Sequence, residues 1–448
     1  MEPCFSKKYS RYLHQCKLNN IYMLIKHLLK YGCIMSATIV STFLVQSCSQ
    51  HKGSFHINGD IGNEHKYVAV ELRDGNHPLS ASFKFHRIRN GKVSLDLDLD
   101  SNKVYEIDVF DNNKSSWFSC CFFADCKGIT IKPGDSTLRE WIAVSDSPQN
   151  VAYQEFQEGL DKAIAASGIR DSIKMAKVSW DETYSPEYRA LHARCFSDTT
   201  STASQLLISA EMERMEQDGS AWTMAGQHLN SLRKQYGVLM DEYYKTHIDE
   251  VPFGLASFNV LVDALEDAQM NDLDVGYWLA YYQKEYAWEF PDCNLHNNVL
   301  DVIGKSTMVE GKHYVDFSLP DERGQIQTVS ELIDGKVAVI ELWASWCHPC
   351  LKRLIEMKPL YEKYKDKGFV IVTAAREDVN DEEWRRILAK EKFSWVNMID
   401  LDPMHPIWSS YGDANGSGSA YLFGTDGRLI KKSPSFQDIE NAIIISQE

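Results

Sequence analysis

Cys347 and Cys350 are separated by two residues, a spacing at which two thiols can carry redox chemistry. They follow a continuous apolar run, VAVIELW, that is typical of a buried strand, and a helical pattern continues from them to about residue 367. Cys347 therefore falls at the N-terminus of a predicted helix, where unpaired backbone N–H groups and the helix dipole stabilise a thiolate. Cys350 lies one turn along, close enough to bridge Cys347 without backbone movement. The spacing predicts a dithiol–disulfide centre.

The two residues between the cysteines tune this centre. Pro349 falls inside the first helical turn, where its missing N–H costs nothing. His348, when protonated, adds positive charge beside Cys347 and stabilises the thiolate further. Because stabilising the thiolate favours the reduced form, a Cys-His-Pro-Cys pair should be more oxidising than one flanked by Gly-Pro.

Half of a zinc site is the alternative interpretation of the cysteine pair. Zinc needs two more ligands, usually a second cysteine pair or paired histidines. The sequence has no second Cys-x-x-Cys, and His405 stands alone downstream. The residues therefore favour redox chemistry, with no metal and no cofactor beyond the redox-active disulfide.

The segment ELWASWCHPC resembles the FWAxWCxPC signature of thioredoxin-like proteins, specifically the membrane-tethered, extracytoplasmic TlpA/ResA-like thiol–disulfide oxidoreductases. The segment DFSLPDERGQIQTVSELIDGK is similar to the hairpin that such domains place before their first central strand. The resemblance covers about residues 310–448. The preceding part is similar to multidomain Bacteroidota lipoproteins whose N-terminal β-domain has no assigned function.

The resemblance implies an enzyme that acts on protein disulfides, with roles for particular residues. Glu341 stands six residues before Cys347, where thioredoxins hold a buried acid behind the disulfide. Burial should raise the pKa of Glu341 and let it relay the proton of Cys350 during exchange. Trp343 and Trp346 match the aromatic wall of the family, and Trp346 is assigned to redox tuning.

The sequence departs from the family pattern in the loop opposite the cysteines. Alignment on the strand AYLF puts the usual cis-proline position at Gly418, followed by Ser419, and no proline lies between Ile407 and Ser433. Because that loop normally pairs with the substrate backbone and keeps metals off the cysteines, its change bears on substrate docking. Arg353 also stands where many relatives carry Glu.

The N-terminal segment has the order of an export signal, with basic residues ahead of the apolar run GCIMSATIVSTFLV. That run is about 14 residues long, short of the roughly 20 that a spanning helix needs. It ends in LVQSCSQ, which resembles a bacterial lipobox and implies cleavage before Cys48 and lipidation of its thiol. We expect a signal peptide at 1–47, a lipidated tether at 48–52 and a protein of the cell envelope that faces the periplasm.

The periodicity along the rest of the chain predicts three domains. Apolar residues alternate with polar ones over 53–135, as in KVSLDLDLD, which indicates a small antiparallel β-domain. Apolar stripes at helical spacing over 136–305 indicate an all-α segment. Strands alternate with helices over 306–448, which indicates an α/β domain of thioredoxin-like fold.

Composition narrows the class of partner. The 448 residues carry a formal net charge of -16, which argues against nucleic acid or an anionic lipid surface as the main partner. Seven of the eleven cysteines follow Cys48, and an odd number leaves at least one thiol without an intramolecular partner. A scaffold held together by many disulfides is therefore not expected.

These observations predict a membrane-tethered thiol–disulfide oxidoreductase, with reductase as the first choice because the related tethered proteins mostly reduce. An upstream donor of electrons is required but not identified. Two alternatives stay open: an isomerase or oxidase, favoured by His348, and a binding or assembly lipoprotein with a degenerate thioredoxin-like scaffold. Replacing Cys347 with serine separates the enzyme from the scaffold, because only the enzyme needs the thiolate.

Overall fold

The computed structural model describes residues 52–62, 67–73, 85–110, 116–133, 141–195, 197, 202–377, 380–402, 405–414, 416 and 418–447. The chain from Lys52 to Glu448 forms one compact unit. The predicted signal peptide and the lipidation residue Cys48 lie outside the described residues. Within the described ranges, no helix combines the length and the apolar character needed to cross a membrane.

The first part of this unit consists of two four-stranded sheets, with strand orders β4-β1-β7-β8 and β3-β2-β5-β6. Alternation of apolar and polar residues in the strand Lys92–Asp100 gives it one more buried face, because successive side chains of a strand point to opposite sides. The strand Val104–Phe110 is buried at nearly every position. The strands are β1 (Lys52–Asp60), β2 (Tyr67–Leu72), β3 (His86–Arg87), β4 (Lys92–Asp100), β5 (Val104–Phe110), β6 (Ser116–Phe123), β7 (Gly128–Pro133) and β8 (Trp141–Val144).

Two features of these sheets differ from the sequence prediction. Strand β8 lies beyond residue 135, the predicted end of the β-domain. The described strands pair antiparallel except β1 and β7, which run parallel. Parallel neighbours need a long crossover connection, and the strands between β1 and β7 in the chain supply it.

The middle part is helical, as the periodicity predicted. Apolar stripes on most of these helices meet in one core, in which the helix Leu255–Met270 is buried along most of its length. Tyr188 and Met215 belong to a second, smaller cluster. The helices are α1 (Pro148–Ser167), α2 (Ile169–Ala176), α3 (Trp180–Thr183), α4 (Pro186–Cys195), α5 (Thr202–Asp218), α6 (Met224–His247), α7 (Leu255–Met270), α8 (Gly276–Glu285) and α9 (Leu295–Thr307).

A partly buried cation, Arg73, joins the β-sheets to the helices. Arg73, just after β2, donates hydrogen bonds to Asn259 at 3.0 Å, Asp263 at 2.7 Å and Glu266 at 2.8 Å, all on α7. Asn294 precedes α9, and its Nδ2 donates a hydrogen bond to the backbone carbonyl oxygen of Arg73 at 2.7 Å. The two parts therefore pack through polar contacts as well as apolar ones.

The last part is the predicted α/β domain. Its central sheet has the order β13-β12-β11-β14-β15, with β11, β12 and β13 parallel and the other pairs antiparallel. Apolar cores cover both faces of this sheet. The elements are the hairpin β9 (Ser318–Pro320) and β10 (Ile326–Thr328), α10 (Val329–Ile333), β11 (Val337–Trp343), α11 (His348–Tyr364), β12 (Phe369–Arg376), α12 (Glu382–Glu391), β13 (Val396–Asp400), α13 (Pro406–Ser410), β14 (Ser419–Phe423), β15 (Leu429–Lys432) and α14 (Phe436–Ile445).

Candidate redox site

The two cysteines lie at the junction of the central strand β11 and helix α11. A disulfide joins Cys347 to Cys350. Cys347 is the N-cap residue of α11, and its Sγ accepts a hydrogen bond from the backbone N–H of Cys350 at 3.3 Å. Because the first N–H groups of a helix have no partner within it, this position favours a thiolate in the reduced state. The sequence predicted this placement, and the geometry agrees with it.

The residues between and before the cysteines form the rim of the site. His348 and Pro349 are exposed, and Pro349 occupies the first turn of α11 as expected. Trp346 is half-buried. Cys347 is 6% exposed and Cys350 is 1% exposed, so a reacting partner meets Cys347 first.

A buried carboxylate that the sequence analysis missed fixes the turn before the cysteines. Glu377 accepts hydrogen bonds from the backbone N–H and the hydroxyl of Ser345, both at 2.8 Å. Glu377 follows the carboxyl end of β12, and β12 runs parallel to β11. The carboxyl ends of neighbouring parallel strands meet at one edge of a sheet. The position of Glu377 after the second predicted strand was therefore the signal from which its place beside the cysteines could have been predicted.

Glu341 is fully buried in β11, as the resemblance implied, but it has a partner that was not foreseen. Both of its carboxylate oxygens accept hydrogen bonds from Nε of Arg353, at 2.9 and 3.1 Å, and Nη2 of Arg353 donates a further one. Arg353 lies on α11, three residues after Cys350. Arg353, the residue that departs from the family pattern, therefore supplies the positive charge that balances the buried carboxylate of Glu341.

Burial raises the pKa of Glu341, and the ion pair with Arg353 opposes that rise. The carboxylate of Asp413, itself buried, adds to the rise. The guanidinium of Arg353 donates hydrogen bonds to the ionised carboxylate of Glu341, so these contacts favour the charged form of Glu341. Proton relay by Glu341 stays a prediction from the resemblance.

Gly418 faces the disulfide, where the alignment had put the family's proline. Its φ is +82°, and a Cβ added there would lie 2.2 Å from Sγ of Cys350 and 3.4 Å from Sγ of Cys347. Any side chain at this position would collide with the sulfur, so the backbone itself covers the disulfide. Ser419 follows as the first residue of β14, paired with Leu342 of β11.

No group of three or more His, Cys, Asp or Glu side chains in the described ranges is arranged to hold a metal ion. His405 lies 3.3 Å from Asp400, measured from Nδ1 to Oδ2, with both side chains buried.

Comparison with known proteins decides the family. The family model described as Redoxin matches residues 309–438. The thiol-disulfide oxidoreductase ResA of Bacillus thuringiensis subsp. konkukian is 31% identical over 122 residues, which cover 27% of this chain and 68% of that protein. The chain belongs to the ResA family of thiol–disulfide oxidoreductases. ResA of Bacillus subtilis is 28% identical over 143 residues, which cover 31% of this chain and 76% of that protein.

Solved structures were also found to match the same part of the chain. A putative thiol:disulfide interchange protein DsbE from Chlorobium tepidum is 25% identical, with a TM-score of 0.28. The match covers 31% of this chain and 99% of that chain. The thioredoxin domain of a thiol-disulfide oxidoreductase from Bacteroides vulgatus is 21% identical, with a TM-score of 0.29 and the same coverage. The ResA relationship confirms the predicted enzyme class, a thiol–disulfide oxidoreductase of thioredoxin-like fold.

The ion pair between Glu341 and Arg353 allows the effect of removing its cation to be predicted. Arg353→Met leaves the charge of Glu341 uncompensated, and a nearby negative charge disfavours a thiolate. We expect the pKa of the Cys347 thiol in the reduced protein to rise by about one unit, measured from the pH dependence of its alkylation rate. Arg353→Lys should retain the wild-type profile, and the double variant Glu341→Gln/Arg353→Met should return towards it. An unchanged profile in Arg353→Met contradicts this electrostatic role.

The contact between Gly418 and Cys350 predicts a large cost for adding one methyl group. Gly418→Ala should destabilise the protein by about 1–3 kcal/mol more than Gly311→Ala, because overpacking adds to backbone strain. Gly311 is the matched control, with the same φ of +82° and nothing within 4 Å of an added Cβ. Urea unfolding of both variants measures the difference, and equal costs would show that Gly418 does not contact the sulfur in solution.

Proposed function

We propose that this chain is a lipid-tethered, extracytoplasmic reductase of protein disulfides that works through the Cys347-His348-Pro349-Cys350 centre. The observation that carries the proposal is the disulfide at the N-terminus of α11, with Sγ of Cys347 in contact with a helix N–H group. This is the arrangement in which a thiolate is stabilised and a second thiol lies close enough to resolve the mixed disulfide by displacing the substrate sulfur.

Reduction of a substrate disulfide then takes two exchange steps. The Cys347 thiolate attacks one substrate sulfur, a mixed disulfide forms, and the other substrate sulfur leaves as a thiolate that takes a proton from water. Cys350 loses its proton to water, and its thiolate attacks Sγ of Cys347 and releases the first substrate sulfur, which is protonated in turn. The substrate gains two electrons, and the new Cys347–Cys350 disulfide is reduced again by a donor dithiol.

The exposure of the two sulfurs supports this division of roles. Cys347 is the more accessible and is the attacking residue, whereas Cys350 is covered by Gly418 and is the resolving residue. Exposed His348 and Pro349, with Trp346, border the approach to Cys347. The backbone of Gly418 and Ser419 offers peptide groups to an extended substrate segment, the role that the resemblance gives to this loop.

The N-terminal sequence supports the proposed location. Basic residues, an apolar run and Cys48 in a lipobox-like context are the features of an exported protein anchored by a lipid. An anchor of this kind would hold the enzyme at the cell envelope, facing the periplasm, where protein disulfides form.

A disulfide isomerase or oxidase is the second candidate, because exposed His348 lies directly beside the attacking cysteine. Protonated His348 would stabilise the reduced form of the centre and make it more oxidising.

Trapping of the mixed disulfide tests the proposed function. Reduced Cys350→Ser protein should accumulate a covalent adduct with insulin, because the resolving thiol is missing, whereas Cys347→Ser should form none. Cys126→Ser is the matched control, at a cysteine outside the disulfide, and should reduce insulin at the wild-type rate. Adducts are counted by intact mass under alkylating conditions. Insulin reduction by Cys347→Ser at the wild-type rate would contradict the proposal and favour the scaffold interpretation.

A further inference from the structure

We infer that helix α9 of the helical part holds the loop that faces the disulfide, with Asp301 as a positioning residue for substrate engagement. The loop is defined as the described residues 405–414, 416 and 418, which belong to the connection between β13 and β14. This inference rests on the proposed function for the meaning of substrate engagement, but the brace itself is a property of the described contacts.

The first contact is a hydrogen bond from the loop to a buried carboxylate. The backbone N–H of Ala414 donates to Oδ1 of Asp301 at 3.0 Å, and Asp301 is 8% exposed. The other oxygen of Asp301 forms an ion pair with Lys305 at 2.6 Å. The carboxylate is therefore fixed on both sides, and its bond to Ala414 is charge-assisted.

The second contact is backbone against backbone. Helix α9 packs on α13, which lies within the loop. A Cβ at Gly304 would lie 2.3 Å from the carbonyl oxygen of Ser409 and 2.5 Å from the backbone N of Gly412. A Cβ at Gly412, whose φ is +68°, would lie 2.6 Å from the backbone N of Lys305. Two glycines thus allow the helix and the loop to touch without side chains between them.

The braced residue is linked to the side of the loop that meets the cysteines. The carbonyl oxygen of Ala414 accepts a hydrogen bond from Nη1 of buried Arg376 at 3.0 Å. An added Cβ at Gly416 would lie 3.0 Å from that same nitrogen, and Gly418 lies against Sγ of Cys350. Ala414 is therefore held from α9 on its N–H side and from β12 on its carbonyl side, four residues before Gly418.

A loop that pairs with a substrate backbone works best when it is already ordered, because ordering it on binding lowers the affinity. The bond from Asp301 removes part of that cost before the substrate arrives. The charge of Asp413, next to Ala414, raises the pKa of Glu341 and of Arg353, so the brace also holds a residue that acts on this ion pair.

Three variants of the full chain test the brace. Asp301→Ala removes the acceptor, Asp301→Asn keeps an acceptor oxygen without the charge, and Lys305→Gln removes the ion pair alone. Reduced protein is mixed with increasing insulin, and separately with oxidised glutathione, a small disulfide that presents much less backbone to the loop than insulin does. We expect Asp301→Ala to lower kcat/KM for insulin about tenfold, mainly through KM, with oxidised glutathione unaffected. Asp301→Asn and Lys305→Gln should stay close to wild type.

Hydrogen exchange at the amides of the loop gives a readout that does not depend on catalysis. The loop should exchange faster in Asp301→Ala and at the wild-type rate in Asp301→Asn. Unchanged exchange in Asp301→Ala overturns the brace, as does an equal loss of activity towards insulin and oxidised glutathione. If wild-type protein fails to reduce insulin, the proposed function is contradicted, and the exchange rates still decide the brace.

Discussion

The buried charge of Glu341 is the constraint around which the C-terminal domain is arranged. A carboxylate at the middle of the central sheet, fully enclosed, loses its hydration at a cost of several kcal/mol unless a cation meets it. Arg353 meets it from α11, and a bidentate pair needs the helix at a fixed distance and rotation from β11. Cys347 is the N-cap residue of the same helix. The geometry that neutralises Glu341 therefore also sets where the two sulfurs lie.

Buried charged groups also fix the backbone on both sides of the disulfide, in segments outside helices and strands. Glu377 holds Ser345 ahead of the cysteines, and Asp301 and Arg376 hold Ala414 in the loop opposite. Each of these groups is satisfied in the fold, which makes the segment it binds costly to displace. The helical part thus takes part in the site through α9, and the β-sheets are tied to the helices through Arg73.

The sequence was sufficient for the elements and the cysteine centre because their signals are local. Alternation in KVSLDLDLD, the apolar run before Cys347 and the position of Gly418 all follow from neighbouring residues or from alignment on the next strand. The partners of the buried charges were not predicted, because Arg353, Glu377 and Asp301 each bind a residue of another structural element. For Glu377 the parallel register of β11 and β12 was a usable signal. The parallel pairing of β1 with β7 was missed for the same reason: strand order depends on contacts between distant segments.

The reduction potential of the full chain tests most directly whether this centre is a working reductase. It is obtained from alkylation mass shifts after equilibration in dithiol buffers of defined potential, with Cys347→Ser as the control. A working reductase predicts a reversible two-electron couple that is lost in the control and that lies below about −180 mV, between that value and the roughly −270 mV of thioredoxin. A couple above about −180 mV would contradict the reductase and favour isomerase or oxidase, and the absence of any couple would contradict an active centre.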